Sequence, residues 1–236
     1  MATRRGPDLP YSVVAGVTSW SGGWLVASAK LHGATLSPET PRTYPSFLEV
    51  LSERPSFVNI VLNAPVGYLD TPESGVRSCD RQARALLGRR GAAIRNAPTR
   101  AVLDEVMTWR EAGMDAVSAT QLPRVREISL EMSPFRQRVV YEGNPELSFY
   151  QLRADSPLER SKNIEMGRAE RRAILISKVP GIESVLDADL EGVPLKHLYD
   201  AAALLWTARR VFGHAAKRIP VEPEWDGAGL RMEMVY

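Results

Sequence analysis

The chain has one cysteine, Cys79, in 236 residues, which excludes an internal disulfide and a thiolate zinc cluster and fits a reducing compartment. Histidine is nearly as scarce. His32, His197 and His214 lack metal-ligand spacing, and none stands in the context of a Ser or Cys nucleophile. No apolar run approaches the roughly 18 residues that span a bilayer, so no membrane-spanning helix is expected. The first residues, MATRRGPDLP, carry no apolar segment behind their arginines, and the expectation is a cytoplasmic protein without a secretory signal. A net charge of +2 is too small to announce a nucleic-acid binder by itself. There is no internal repeat and no low-complexity tract.

What is present is an ordinary globular composition, 44% apolar and 25% charged, expected to fold as a single domain over 1–236. The basic residues are unusual in kind, since nearly all are Arg rather than Lys. An Arg-lined groove for phosphate is one reading, and the Arg-rich coding of a GC-rich genome is the other.

Residues 12–18 (SVVAGVT) and 23–31 (GWLVASAKL), joined by SWSGG, read as a β-hairpin, with a third short strand at 34–36. A short helix follows at 45–52. FVNIVLNAPVG is then a nearly unbroken apolar run, as in a strand buried on both faces, stopped by Pro65 and Gly67. From 77 to 132 the pattern turns helical: Ala83, Leu86 and Leu87 share one stripe, Val102, Val106 and Trp109 a second, and Val125, Ile128 and Met132 a third. This predicts a helical insertion between sheet elements. RQRVVYEG and NPELSFYQL are read as returning strands, and GRAERRAILI as an amphipathic helix. PLKHLYDAAALLWTARRVFGHAA predicts a helix of about five turns, and GLRMEMVY a last strand. The order is α/β, with an antiparallel hairpin before the α/β units, as in ribonuclease-H-like and actin-like layouts.

Some polar residues are not explained by periodicity. The segment 198–206 is apolar on every side except for Asp200, and a carboxylate on a buried helix needs a cation, a cap or a metal to compensate it. Glu146 follows a Gly-Asn-Pro turn and enters an apolar run, either as a ligand at a strand mouth or as a solvated strand end. Asn63 closes the buried run VNIVLN, where open α/β sheets place their chemistry, although Asn is also a common turn residue. Thr18 ends the first strand. Cys79 is best read as a buried small hydrophobe, and Trp109 and Trp206 as core residues.

AGVTSWSGGWLVA, LNAPVGYLD, CDRQARALLGRRG, NPELSFYQL, GRAERRAIL, YDAAALLWTARR and GLRMEMVY together resemble a bacterial and archaeal family. That family is the predicted nucleases with a ribonuclease H fold, domain-of-unknown-function family 429. The resemblance implies a ribonuclease-H-like mixed sheet with flanking helices, and four acids converging on two divalent metals. Glu146 matches the family glutamate and Asp200 its helix aspartate. Thr18 stands where the first-strand aspartate is expected, and Asn63 where the Asp of Asp-Ala-Pro is expected. Ala92 and Ala93 replace a pair of small hydroxyl residues after LLGRRG. Two-metal hydrolysis needs metals roughly 3.5–4 Å apart held by anionic oxygens, so two lost carboxylates strike at the mechanism.

The resemblance therefore implies a degraded catalytic set of Glu146, Asp200, Thr18 and Asn63, with Mg²⁺ or Mn²⁺ held weakly, if at all, by Glu146 and Asp200. One expectation is a non-catalytic binding or regulatory module, with nucleic acid or a protein as partner. The second is a working hydrolase that recruits Glu142 or Glu233 as substitute ligands. A third, drawn from the hairpin alone, is phosphate binding by Ser19 to Gly23. Arg84, Arg89, Arg90 and Arg95, with Arg81 beside them, are the candidate nucleic-acid contacts, and Arg168, Arg171 and Arg172 a second cluster. Such contacts would make affinity fall steeply with salt. A solvated helix face is the competing reading for both clusters.

Overall fold

Two β-rich runs with a Gly turn between them fold back on each other: β1 (Ser12–Trp20) pairs antiparallel with β2 (Gly23–His32). The computed structural model describes residues 10–236. Beyond β2 lie β3 (Thr35–Pro38) and β4 (Arg42–Tyr44), each antiparallel to a different half of β2. The apolar run after Pro55 becomes β5 (Asn59–Leu62), parallel to β1, and β6 (Val140–Glu142) is parallel to β5. The order β3-β2-β1-β5-β6, with β4 also on β2, makes a mixed sheet flanked by helices. This is the arrangement expected of a ribonuclease-H-like fold. A separate antiparallel pair, β7 (Arg218–Trp225) and β8 (Arg231–Val235), joins the sheet end through a bridge from Val235 to Gly143.

Side chains of β1 alternate between two cores because both faces of the strand are covered. Val13, Ala15 and Val17 face α1 (Phe47–Ser52), which supplies Phe47 and Val50. The 100–131 segment holds α3 (Arg100–Leu103), α4 (Ala116–Ala119) and α5 (Leu122–Glu131), and α5 adds Ile128 to the same core. Val14 faces the opposite way, toward α9 (Leu195–Phe212). Gly16 shares that face, and a Cβ there would overlap the Ala201 carbonyl oxygen and the Leu205 nitrogen. The missing side chain lets α9 lie directly on the strand. Each fully buried Leu of α9 contributes about 1.5–3 kcal/mol by leaving water.

The remaining helices are α2 (Ser78–Leu87), α6 (Pro145–Leu152), α7 (Glu165–Lys178) and α8 (Glu183–Leu186). Two expectations are corrected here. NPELSFYQL is helix rather than strand: the Asn144 side chain accepts the Glu146 N–H and Pro145 takes the first helical position. The helix expected through 101–113 stops at Leu103, with Glu105 in a left-handed conformation (φ 60°). Met107 N–H then bonds back to Ala101, and Val106 is left 82% exposed instead of sharing a core stripe. β7 had no forecast, because Pro220 and Pro223 interrupt any strand signal.

Candidate functional site

Strand parity places Thr18 on the Gly16 face of β1 and Asn63 on the Val61 face of β5, so both look toward α9. Asn63 Nδ2 donates to Thr18 Oγ1 at 3.1 Å, a neutral hydrogen bond just past the last β1–β5 pair; β1 itself runs on to Trp20 rather than ending at Thr18 as expected. Asp200 sits one residue before Ala201, the residue that touches Gly16, and is 1% exposed. Glu146 lies in the first turn of α6 and is 5% exposed. Gly143, just before that helix, has no room for a Cβ against Val61, and Leu204 of α9 lies beside it. All four resemblance-derived residues thus sit on elements that meet at one end of the sheet.

Glu146 and Asp200 are both paired with side-chain cations. Arg171 Nη2 donates to Glu146 Oε1 at 2.6 Å, and Arg90 approaches the same oxygen at 3.2 Å. Arg171 is fully buried in α7; it also donates to the carbonyls of Arg160 and Gly167, and its guanidinium lies 5.4 Å from the Phe149 ring. Lys162, from the segment before α7, donates its Nζ to Asp200 Oδ2. The Lys162 side chain is 27% exposed and closes Asp200 off from solvent. Even so, Glu146 Oε2 and Asp200 Oδ1 are buried without a partner, as are Arg171 Nε and Arg90 Nε. One turn before Asp200, His197 Nδ1 is also buried and unpartnered. Burial holds the His197 imidazole below its ordinary pKa; Asp200 opposes this, and Lys162 and Lys196 add to it.

Two divalent metals do not fit this donor set. Two carboxylates already face three side-chain cations, and Thr18 and Asn63 add only neutral oxygens.

A second buried cluster was not anticipated. The Cys79 Sγ, an Asp80 oxygen and a Glu142 oxygen lie within 4.8 Å of one another, a group that could hold a metal ion. Arg77 occupies its centre. Its guanidinium donates to Asp80 at 2.7 and 3.0 Å, to Glu142 at 2.7 and 2.9 Å, and to the Gly67 carbonyl at 3.0 Å. Val66 N–H adds a bond to Glu142 at 2.7 Å. Burial, the largest influence, raises the Glu142 carboxyl above its ordinary pKa in spite of Arg77. Burial also pushes the Cys79 thiol well above its ordinary range, so the thiol stays protonated. Glu142 is spent on Arg77, and Glu233 lies with Arg218 (3.1 Å) and Arg231 (3.4 Å).

The arginines expected to touch nucleic acid divide. Arg84 is turned inward to the Ile94 carbonyl and Asn96, and Arg90 to Glu146. Arg89 is exposed, and half-exposed Arg95 makes a loose 3.4 Å pair with Asp115. Arg81 reaches the Val76 carbonyl and Ser78. In the second cluster Arg168 bonds local carbonyls and Arg172 pairs with Asp187, while Arg171 is core rather than solvated face. The hairpin glycines have packing reasons: a Cβ at Gly22 would enter the Trp20 ring, and one at Gly23 would overlap the Tyr44 carbonyl. None of the helices among the described residues is long and apolar enough to cross a membrane.

A family model described as "Protein of unknown function (DUF429)" matches residues 16–225, and the chain belongs to that family. No curated protein and no solved structure matches it.

Proposed function

We propose that this DUF429 member is a non-catalytic binding or regulatory module, built on a ribonuclease-H-like frame whose two-metal acid site has been neutralised. The observation that carries the reading is the local charge. The expected acid positions, where the β1–β5 pairing ends, hold a Thr18–Asn63 hydrogen bond, and the two remaining acids are compensated by Arg171, Arg90 and Lys162. A phosphodiester transition state needs concentrated positive charge held on anionic ligands. Here the positive charge is tied up in internal pairs. Nucleic acid remains one partner class, with exposed Arg89 and Arg95 as the available contacts, and a protein is the other. The chemistry of a reducing compartment suits the single buried thiol.

The test is cleavage of single- and double-stranded DNA and RNA in the presence of Mg²⁺ or Mn²⁺. The natural chain is expected to cleave no faster than its Asp200→Ala variant. The double substitution Thr18→Asp with Asn63→Asp is expected to create divalent-cation binding that calorimetry detects. Cleavage by the natural chain that Asp200→Ala abolishes would falsify the reading. One observation favours a working hydrolase as the second reading: Glu146 Oε2 and Asp200 Oδ1 are buried without partners. The same assay separates the two.

A further inference from the structure

The sheet face turned away from α9 is covered by α1 and α5 over only part of its length. Along β2 that face carries Trp24 and Val26, which are core, and then the polar Ser28 and Lys30. Register sets Val13 of β1 opposite Lys30, and Arg42 and Tyr44 of β4 opposite Val26 and Trp24, so all of them share this face. Together with the segment after α1 they border a cavity of about 40 Å³, floored by Val13, Val26, Pro55 and Phe57. Its walls hold two matching polar sets. In one, Glu39 accepts the Ser28 hydroxyl at 3.1 Å and the Lys30 ammonium at 3.0 Å. In the other, Glu53 accepts the Tyr44 hydroxyl at 2.7 Å and the Arg42 guanidinium at 2.9 Å. Burial and Glu53 push the Tyr44 phenol up to about 12, which keeps it a donor at neutral pH. The cations form the outer layer: the Lys30 and Arg42 side chains are 38% and 56% exposed, against 24% and 20% for Glu39 and Glu53.

We propose that this cavity binds a small zwitterionic α-amino acid, its ammonium inward between Glu39 and Glu53 and its carboxylate outward on Lys30 and Arg42. The order of charge in the site, acids deep and cations at the rim, is complementary to that ligand. Each carboxylate oxygen accepts one hydrogen bond and keeps a lone pair, as do the Ser28 and Tyr44 oxygens, so the inner layer has acceptors for an ammonium group. Lys30 and Arg42 each bond one acid here and have further N–H groups for a carboxylate. Size limits the ligand's side chain. At roughly 10–15 Å³ per water the cavity takes about three waters, the bulk of glycine or alanine, with the alanine methyl on the apolar floor. The site lies on the sheet face away from α9 and Asp200, so it does not depend on whether that acid is catalytic.

The experiment titrates the natural chain with glycine and L-alanine by calorimetry and by thermal unfolding, with acetate, methylammonium and L-phenylalanine as comparison ligands. Glycine and L-alanine are expected to bind at a single site with Kd on the order of 10⁻³ M. At about tenfold excess over Kd, Tm is expected to rise by roughly 3–6 °C. Acetate and methylammonium each meet only half of the site, and L-phenylalanine exceeds the cavity, so all three are expected to bind about tenfold more weakly or worse. Glu39→Gln and Lys30→Met are each expected to weaken L-alanine binding by about tenfold. The proposal is overturned if neither glycine nor L-alanine binds, or if acetate, methylammonium or L-phenylalanine binds as tightly as L-alanine. It is equally overturned if either variant binds L-alanine like the natural chain. Should Glu39→Gln fail to fold, Arg42→Met, altered at a side chain that is 56% exposed, is held to the same criterion.

Discussion

Two sets of buried ion pairs, one around Arg77 and one around Glu146 and Asp200, differ in kind. Around Arg77 every carboxylate oxygen and every guanidinium nitrogen is partnered, and the backbone of Val66 and Gly67 is drawn in. Around Glu146 and Asp200 an equal number of acids meets more cations, yet polar atoms are left over on both sides of the pairs. A closed network is a strut: it fixes the loop after β5 to the start of α2 and the end of β6. A network with unspent donors and acceptors keeps hydrogen-bonding capacity in hand. Desolvation makes both costly, so the difference lies in whether the remaining hydrogen-bonding capacity is used.

The largest effect that would sharpen this contrast is expected at the strut. Arg77→Met leaves two buried carboxylates facing each other without a cation, a loss of about 3–5 kcal/mol. In a chain of this size that lowers Tm by roughly 6–20 °C, read by calorimetry, or prevents folding. Arg171→Met comes next, because Arg90 remains on Glu146; about 2–3 kcal/mol and a Tm fall of roughly 4–12 °C are expected. If Arg171→Met costs more than Arg77→Met, the division between closed and open networks is wrong.

The smallest effect concerns pH. His197 has a lowered pKa, so between that value and its ordinary value of about 6.5 the unfolded chain binds a proton that the folded chain does not. The histidine's contribution to stability is complete above about pH 6.5 and is lost on acidification through that window. Glu142, with a raised pKa, works with the opposite sign, losing stability as pH rises through its folded value. The difference between the natural chain and His197→Gln isolates the histidine. Denaturant unfolding is expected to show a shallower loss below pH 6.5 in His197→Gln. Identical slopes would remove His197 from the account.

Much of the frame was legible in sequence because its signals are local. The hairpin needed only two β-rich runs and a Gly turn. β5 needed an apolar run with a Pro stop, and α9 a long apolar helix with one misplaced acid. Asp200 was marked by that misplacement alone. NPELSFYQL failed because Leu147, Phe149 and Leu152 are all buried, and an apolar run of that length shows no period. Its Asn-Pro start was the signal that identifies a helix N-terminus. The partners of the acids were beyond reach for a different reason. Lys162 meets Asp200 across 38 residues and Arg171 meets Glu146 across 25, and no pattern in the chain links them. Arg171 has charged and polar neighbours and looks like any solvated helix position until the packing of α7 is known. Arg77 was hidden likewise, since Glu142 lies 65 residues away.

Gly16 has a consequence for these charges although it carries none. By permitting the backbone of α9 to rest on β1, it sets the clearance between the strand that carries Thr18 and the helix that carries Asp200. A single methyl group at that position would act as a shim. It would lift Asp200 away from the strand ends while leaving every polar residue of the site in place. How far apart the oxygens stand is therefore settled by an absence on the sheet, and the ionic pairs adapt to a spacing that they did not choose.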